Sequence, residues 1–165
     1  MNIKRIIKHL SVGQAAVRRN FPHAALKNIE HTIAQVEQTH AGQIRFAVEA
    51  TLDLSPLLAG QTARQRAIEV FSQLRVWDTE HNNGVLIYLL LADRDVEIVA
   101  DRGVHAKLGQ AVWEAACLEM EAAFRQSEFE EGVIAGIRCV GAHLAQHYPQ
   151  VGAKTNELPD QPVIL

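Results

Sequence analysis

Residues 85–91 constrain the fold more than any other part of the chain. All seven are apolar or aromatic, with no polar alternation, and such a run is typical of a strand covered on both faces. Residues 93–95, Asp-Arg-Asp, follow closely, and short aspartate side chains favour a tight turn. Residues 96–100 have the composition of a returning strand. The pattern therefore predicts an antiparallel hairpin whose first strand lies at the centre of a sheet.

Upstream patterns predict a helix, a strand and a second helix. The first helix begins near Pro22, a residue favoured in the first helical turn. In residues 44–49, apolar and more polar side chains alternate, which predicts a strand with one wetter face. Thr62 and Gln65 have the spacing of a capping box, in which side chains satisfy the free amides of a helix start. We expect the helix they open to end around Trp77.

The resulting fold class is α/β. Downstream of the hairpin, two amphipathic helices are predicted, the second stopping before Pro149. A strand–helix–strand unit implies a right-handed crossover between parallel strands, and the hairpin adds an antiparallel neighbour. We therefore expect a small mixed β-sheet sandwiched between helices. Residues 22–149 form this domain, preceded by a basic amphipathic segment, 1–21, and followed by an extended C-terminal tail, 150–165.

Charge is distributed unevenly along the 165 residues. Residues 1–19 contain five basic and no acidic side chains, whereas the remainder contains 11 basic and 19 acidic ones. A mildly acidic body argues against a nucleic-acid ligand, which requires a basic stripe. No apolar run approaches the roughly 20 residues that span a bilayer, and no signal peptide is recognisable. These features predict a cytoplasmic protein.

The basic N-terminus has two interpretations that the sequence leaves open. Ile3, Ile6, Ile7 and Leu10 lie at helical spacing among lysine and arginine residues. Such a helix binds anionic membrane surfaces reversibly, which would make the protein peripheral on the inner membrane through residues 1–19. Alternatively, the helix packs on the domain with its basic side chains in water.

Several short motifs, taken in order, resemble the TPM domain family, which includes thylakoid proteins. They are Asn-Gly-Val-Leu-Ile at 83–87, the turn and strand at 93–98, Gly103, and Phe124, Phe129, Glu131 and Gly132. The resemblance covers roughly residues 20–148 and implies an α/β/α sandwich. It also implies calcium binding, an acid-phosphatase-like activity or the maintenance of membrane complexes. Many family members carry a signal peptide and a membrane helix, so this chain resembles a cytoplasmic bacterial subgroup without either.

The sequence departs from the family pattern at one segment. Where the family has G-x-G-[LI]-E, residues 101–105 are Asp-Arg-Gly-Val-His. Asp101 thus replaces a glycine and His105 replaces the glutamate. Hard cations prefer oxygen ligands, whereas neutral imidazole suits zinc-like metals. The sequence indicates no definite cofactor; a divalent cation is the candidate, and calcium is disfavoured.

A polar stretch before the central strand is the candidate site. Antiparallel pairing brings the end of the returning strand beside it, and loops at sheet ends commonly bind ligands. The expected ligand-binding residues are Glu80, His81, Asn82, Asn83 and Arg102; the expected metal ligands are Asp78, Asp101 and His105; His40 and Gln43 should lie at the same edge. The alternative is a solvated loop in which Asn82, Asn83 and Gly84 only form a turn.

Catalytic motifs are not recognisable in the sequence. Asp93 and Asp95 superficially resemble the D-x-D of aspartyl-phosphate phosphatases, but the chain turns straight back into a strand. Neither cysteine is followed by the Cys-x5-Arg phosphatase arrangement, and no phosphate-binding P-loop is present. The leading hypothesis is a noncatalytic binding or adaptor module that presents the polar sheet edge to a partner protein or metal ion near the inner membrane. The alternative, a phosphoester hydrolase, is implied by the family resemblance only.

Overall fold

A computed structural model describes residues 3–153 and 155–165. The predicted N-terminal segment and tail also include residues 1, 2 and 154, which lie outside the described residues. The helices are α1 (Ile3–Ser11), α2 (Gln14–Asn20), α3 (His23–Val36), α4 (Leu54–Leu58), α5 (Ala63–Gln73), α6 (Arg102–Leu108), α7 (Gln110–Arg125) and α8 (Phe129–His147), with a short 3-10 helix at Glu37–Thr39. The strands are β1 (Gln43–Glu49), β2 (Gly84–Leu90), β3 (Asp95–Ala100) and β4 (Val163–Ile164).

One mixed sheet has the strand order β3-β2-β1-β4. β1 and β2 are parallel, with Gln43 opposite Gly84 and Glu49 opposite Leu90. β2 and β3 form the predicted antiparallel hairpin, and every residue of β2 is buried. Arg94 adopts a left-handed backbone conformation in the turn, with φ of 55°. The predicted α/β class and the mixed sheet between helices are confirmed.

Helices cover both faces of the sheet because the central strand β2 is apolar on both sides. On one face, alternate residues such as Phe46 and Ile87 pack against α3, α7 and α8. On the other face, Leu86 and Leu90 pack against α5, around Ala67. Side chains of adjacent strand residues point to opposite faces. The continuous apolar run of β2 is therefore explained by its two separate cores.

Two helix boundaries differ from those predicted. α5 ends at Gln73 rather than around Trp77, because Arg75 takes a left-handed conformation and the N–H of Val76 bonds back to the carbonyl of Phe71. The single helix expected after the hairpin is divided into α6 and α7 at Gly109, whose φ is 73°. Glycine adopts that conformation without steric cost. The capping box of Thr62 and Gln65 is confirmed at the start of α5.

The prediction that one face of β1 is wetter is wrong, because all seven residues of the strand are buried. Its polar side chains are covered by other parts of the chain that supply hydrogen-bond partners. Arg45 donates to the carbonyls of Pro159 and Gln161 in the tail. Glu49 is paired with Arg66 of α5. Alternation thus indicated two chemically different faces, and both lie inside the protein.

The C-terminal tail lies along the outer edge of β1. Val163 and Ile164 pair with Ala47 and Val48 as the short parallel strand β4. The side-chain carbonyl of Gln43 accepts from the backbone N–H groups of Glu157 and Leu158, both at 2.9 Å. The tail therefore adds a fourth strand that the hydrophobic pattern does not indicate.

Candidate functional site

The polar loop before β2 meets the start of α6 at the amino ends of β1 and β2. The N–H of Asp101 bonds to the carbonyl of Gly84 at 2.9 Å, which fixes where α6 begins. A side chain at Gly103 would lie 2.6 Å from the carbonyl oxygen of Asn82 and 3.1 Å from that of His81. Glycine at this position therefore allows the helix backbone to approach the loop backbone. The loop and the helix predicted to form the site are in contact.

Asn83 and Asp101 are the buried members of this group. The Asn83 amide donates to the carbonyl of Ala41 at 2.9 Å, and Oδ1 of Asp101 accepts from the N–H of Arg102 at 2.7 Å at the start of α6. Among the described residues, Oδ1 of Asn83 and Oδ2 of Asp101 have no hydrogen-bond donor. Because buried acceptors without a donor are costly, each favours an external donor or a cation.

The other predicted site residues are exposed around these two. They are Asp78, Glu80, His81, Asn82, Arg102 and His105. Within residues 3–153 and 155–165, no three His, Cys, Asp or Glu side chains are arranged to hold a metal ion. The predicted ligands Asp78, Asp101 and His105 therefore do not form such a group, and metal binding at this edge stays a prediction.

Tyr148, just after α8, is a member of the site that sequence reasoning missed. Its hydroxyl lies 3.2 Å from where a side chain at Gly103 would begin. Burial raises the pKa of the Tyr148 hydroxyl, and the negative charge of Asp101 raises it further. The ammonium of Lys107 lies 3.9 Å from the centre of the Tyr148 ring, a cation–π contact. No sequence pattern links Tyr148 to the loop, because α8 brings it there from a distance of many residues.

The tail covers part of the predicted edge. His40 and Gln43 are buried at this end of the sheet, and Gln43 is occupied by the tail amides described above. The carboxylate of Glu157 accepts from the N–H of Glu80 at 2.8 Å. The accessible site is therefore the side of the loop that faces α6, and the side next to β1 is closed by the tail.

A second polar cluster, which sequence reasoning also missed, lies at the opposite, carboxyl ends of β1 and β2. Arg66 forms a bidentate pair with Glu49, with N···O distances of 2.9 and 3.0 Å. The hydroxyl of Tyr88 donates to the same carboxylate at 2.5 Å. Burial raises the pKa of Tyr88, and its bond to Glu49 adds to this effect, so the phenol keeps its proton. Tyr88 is the one hydroxyl within the apolar run, which was the available signal.

The hairpin turn takes part in fastening α1 to the domain. Arg5 contacts Asp93 at 2.8 Å and donates to the carbonyl of Gln61 at 2.8 Å. His9 is buried, with Nδ1 2.7 Å from the Thr51 hydroxyl and Nε2 3.2 Å from the Asp93 carboxylate. The N–H of Leu52 donates to Nδ1 of His9. These bonds give Asp93 a structural role that its turn position alone does not indicate.

One mixed sheet with helices on both faces places the protein in the class of α/β/α sandwich domains. A family model for the TPM domain matches residues 21–143, so the chain belongs to the TPM domain family. It is similar to the solution structure of the BA42 protein from the psychrophilic bacterium Bizionia argentinensis, with 27% identity and a TM-score of 0.76 over 86% of this chain and 93% of that one. The N-terminal domain of a P. gingivalis protein shares the fold, with 16% identity and a TM-score of 0.61 over 79% and 81% of the two chains. No curated protein matches.

Proposed function

We propose that this TPM domain is a noncatalytic binding module that receives a partner protein at one edge of the sheet. This loop–α6 edge consists of loop residues 78–83 and residues 101–105 at the start of α6. The observation that carries the proposal is the pair of buried oxygens, on Asn83 and Asp101, that lack donors within the described chain. Both oxygens are buried, so a lysine, an arginine or a backbone N–H of a partner would satisfy them only after a local shift of the loop. A divalent cation would use the same oxygens, with further ligands supplied from outside this pair.

The surroundings of the two oxygens support recognition of a polar surface. Loop residues His81 and Asn82 and helix residues Arg102 and His105 are exposed on either side. They supply both donors and acceptors. The close backbone contact between the loop and Gly103 keeps these groups near one another, which reduces the entropy lost on binding.

Site-specific photo-crosslinking in the native host tests the proposal. A photoreactive residue at His105 should give a discrete crosslinked species, and the same residue at exposed Ser72 of α5 should not. Asp101→Asn should weaken the His105 crosslink, because an amide replaces the carboxylate oxygen by a donor. Equal crosslinking from both positions, or no effect of Asp101→Asn, would contradict the proposal. In parallel, amide chemical shifts recorded with calcium, magnesium and zinc distinguish an ion from a protein as the ligand.

A phosphoester hydrolase is the second candidate function. The matched family model carries the word phosphatase in its name, and this is the observation that favours it. Purified protein supplemented with divalent metals is assayed on p-nitrophenyl phosphate. Turnover that is abolished by Asp78→Ala or Asp101→Ala would support the hydrolase and overturn the noncatalytic proposal. Turnover unchanged in both variants would indicate a contaminating activity.

A further inference from the structure

Helix α1 is attached to the domain through Arg5, Ile6 and His9, with an apolar stripe facing outward. Ile3, Ile7 and Leu10 follow one another at helical spacing and are 63%, 61% and 73% exposed. An amphipathic helix ordinarily buries its apolar stripe against the core. Here Ile6 packs on the core beneath α5, Arg5 and His9 add polar bonds, and the other three apolar residues stay exposed. The attachment therefore leaves the apolar stripe available and fixes its direction.

A groove of about 660 Å³ borders α1 at Lys8. It lies beyond the carboxyl end of β2, where ligands commonly bind in open α/β sheets. Its basic residues come from three elements, Lys8 of α1, Arg19 of α2 and Arg94 of the hairpin turn. Apolar Val12 and Phe129 also line it.

The charge of the groove is not neutralised within the described part of the chain. No acidic side chain lines it, and Lys8, Arg19 and Arg94 form none of the ion pairs found there. Arg94 instead lies over the Phe129 ring, 5.8 Å from its centre, and reaches the carbonyl of Arg125 at 3.5 Å. The nearby Asp93 is paired with Arg5 and so does not oppose an anion. The groove therefore attracts negatively charged groups.

We propose that α1 and this groove together form a docking surface for an anionic lipid bilayer. The apolar stripe of Ile3, Ile7 and Leu10 inserts at the level of the acyl chains, and the groove receives phosphate headgroups. The two features are complementary to a bilayer because its surface presents negative charge directly above apolar chains. The surface lies at the opposite end of β2 from the loop–α6 edge, so it is independent of the proposed binding function.

Vesicle co-sedimentation with the purified full chain tests the proposal. The protein should sediment with vesicles of phosphatidylcholine and phosphatidylglycerol, but not with phosphatidylcholine alone, and added salt should release it. Replacing Ile3, Ile7 and Leu10 by serine should lower the partition coefficient at least roughly tenfold. Leu118→Ser on α7, which removes a leucine of 63% exposure, is the matched control and should bind normally.

A second pair of variants tests the groove. Arg94→Asn removes a charge and keeps a residue that tolerates the left-handed conformation; Arg75→Asn does the same at the other left-handed arginine, before β2. Arg94→Asn should weaken vesicle binding about fivefold, and Arg75→Asn should not. Equal losses in these two variants, or vesicle binding that survives in the serine variant, would overturn the proposal. So would amide shifts caused by soluble glycerol phosphate in a protein that does not sediment with vesicles, since the groove would then bind free phosphate esters.

Discussion

The two ends of the parallel strands β1 and β2 both carry a cluster of buried polar side chains, but only the cluster at the carboxyl ends is satisfied internally. At the carboxyl ends, the Glu49 carboxylate accepts three bonds, two from Arg66 and one from Tyr88. At the amino ends, Asn83 and Asp101 each keep a buried oxygen with no donor in the described chain. A satisfied buried network stabilises the fold, whereas an unsatisfied one gains from a ligand. The comparison separates a structural cluster from a candidate binding site.

Removing Arg66 should have the largest effect on this comparison. Arg66→Met would leave the buried Glu49 carboxylate with only Tyr88 as a partner. We expect the free energy of unfolding to fall by about 2–3 kcal/mol, below the full cost of breaking a buried pair because the guanidinium is partly exposed. Urea denaturation measures this loss.

Arg64→Met, on the same helix, is the matched control. Arg64 is more exposed and lies 3.4 Å from Glu97, so its loss should cost about 1 kcal/mol. If Arg64→Met destabilised the protein as much as Arg66→Met, the Glu49 cluster would not be the structural element inferred here.

Gly103→Ala should disturb the contact between α6 and the loop, which together form the site at the amino ends of the strands. The added methyl would lie 2.6 Å from the Asn82 carbonyl, so the loop or α6 must move. We expect a loss of about 1–2 kcal/mol and amide shift changes concentrated in residues 79–83. Ala106→Ser, an exposed change on α6, should alter stability by less than about 0.5 kcal/mol. Shift changes spread evenly over the sheet would show that the contact is not local.

Asp95, opposite Leu90 at the carboxyl end of β2, tests whether every carboxylate at that end is stabilised in its charged form. Burial raises the pKa of Asp95 to about 6, and the charges of Glu97 and Glu121 contribute further. Because the native state holds this proton more tightly than the unfolded state, stability should fall as pH rises from about 4 to about 6. Asp95→Asn should therefore stabilise the protein by about 1 kcal/mol at neutral pH, after allowance for solvent screening.

The stabilisation by Asp95→Asn should shrink as pH falls and approach zero below about pH 3, where about one proton is bound in both states. Urea midpoints of the two proteins across this pH range measure the difference. A stabilisation that does not change with pH would mean that the Asp95 charge is not its cause.

Asp101→Asn should have the smallest effect on stability. Asparagine replaces aspartate well at the start of a helix, so the free energy of unfolding should change by less than about 0.5 kcal/mol. Thermal unfolding of the variant measures this change. A large destabilisation would show that Asp101 has a structural role like that of Glu49, and the contrast between the two ends would disappear.

Local patterns predict much of this fold. The apolar run of β2, the aspartate-containing turn and the capping box of Thr62 each depend on neighbours within a few residues, and each is found as expected. The end of α5 and the pairing of β4 depend on distant contacts. Arg75 has no composition signal for a left-handed residue, and Val163 pairs with Ala47 across most of the chain. Sequence periodicity does not contain such information.

The candidate site shows the same division. The antiparallel β2–β3 pairing predicted from the sequence is sufficient to place the loop beside the start of α6. The sequence did not predict which of these residues are buried, because their burial depends on residues far away in the chain. The Asn83 side chain bonds to the carbonyl of Ala41, and Glu157 of the tail bonds to the other side of the loop. The Glu49 cluster required knowledge that Arg66 faces the end of β1, which a helical periodicity does not specify.

The short pairing between β4 and β1 has a consequence for the sheet edge. The tail is present at a high effective concentration because it is covalently joined to the domain. Cutting the connection would turn a permanent neighbour into a dilute ligand, and β1 would then display unpaired N–H and C=O groups to other molecules. Exposed strand edges of this kind template association between chains. By pairing with β1, Val163 and Ile164 both extend the sheet and block association of its edge with other chains.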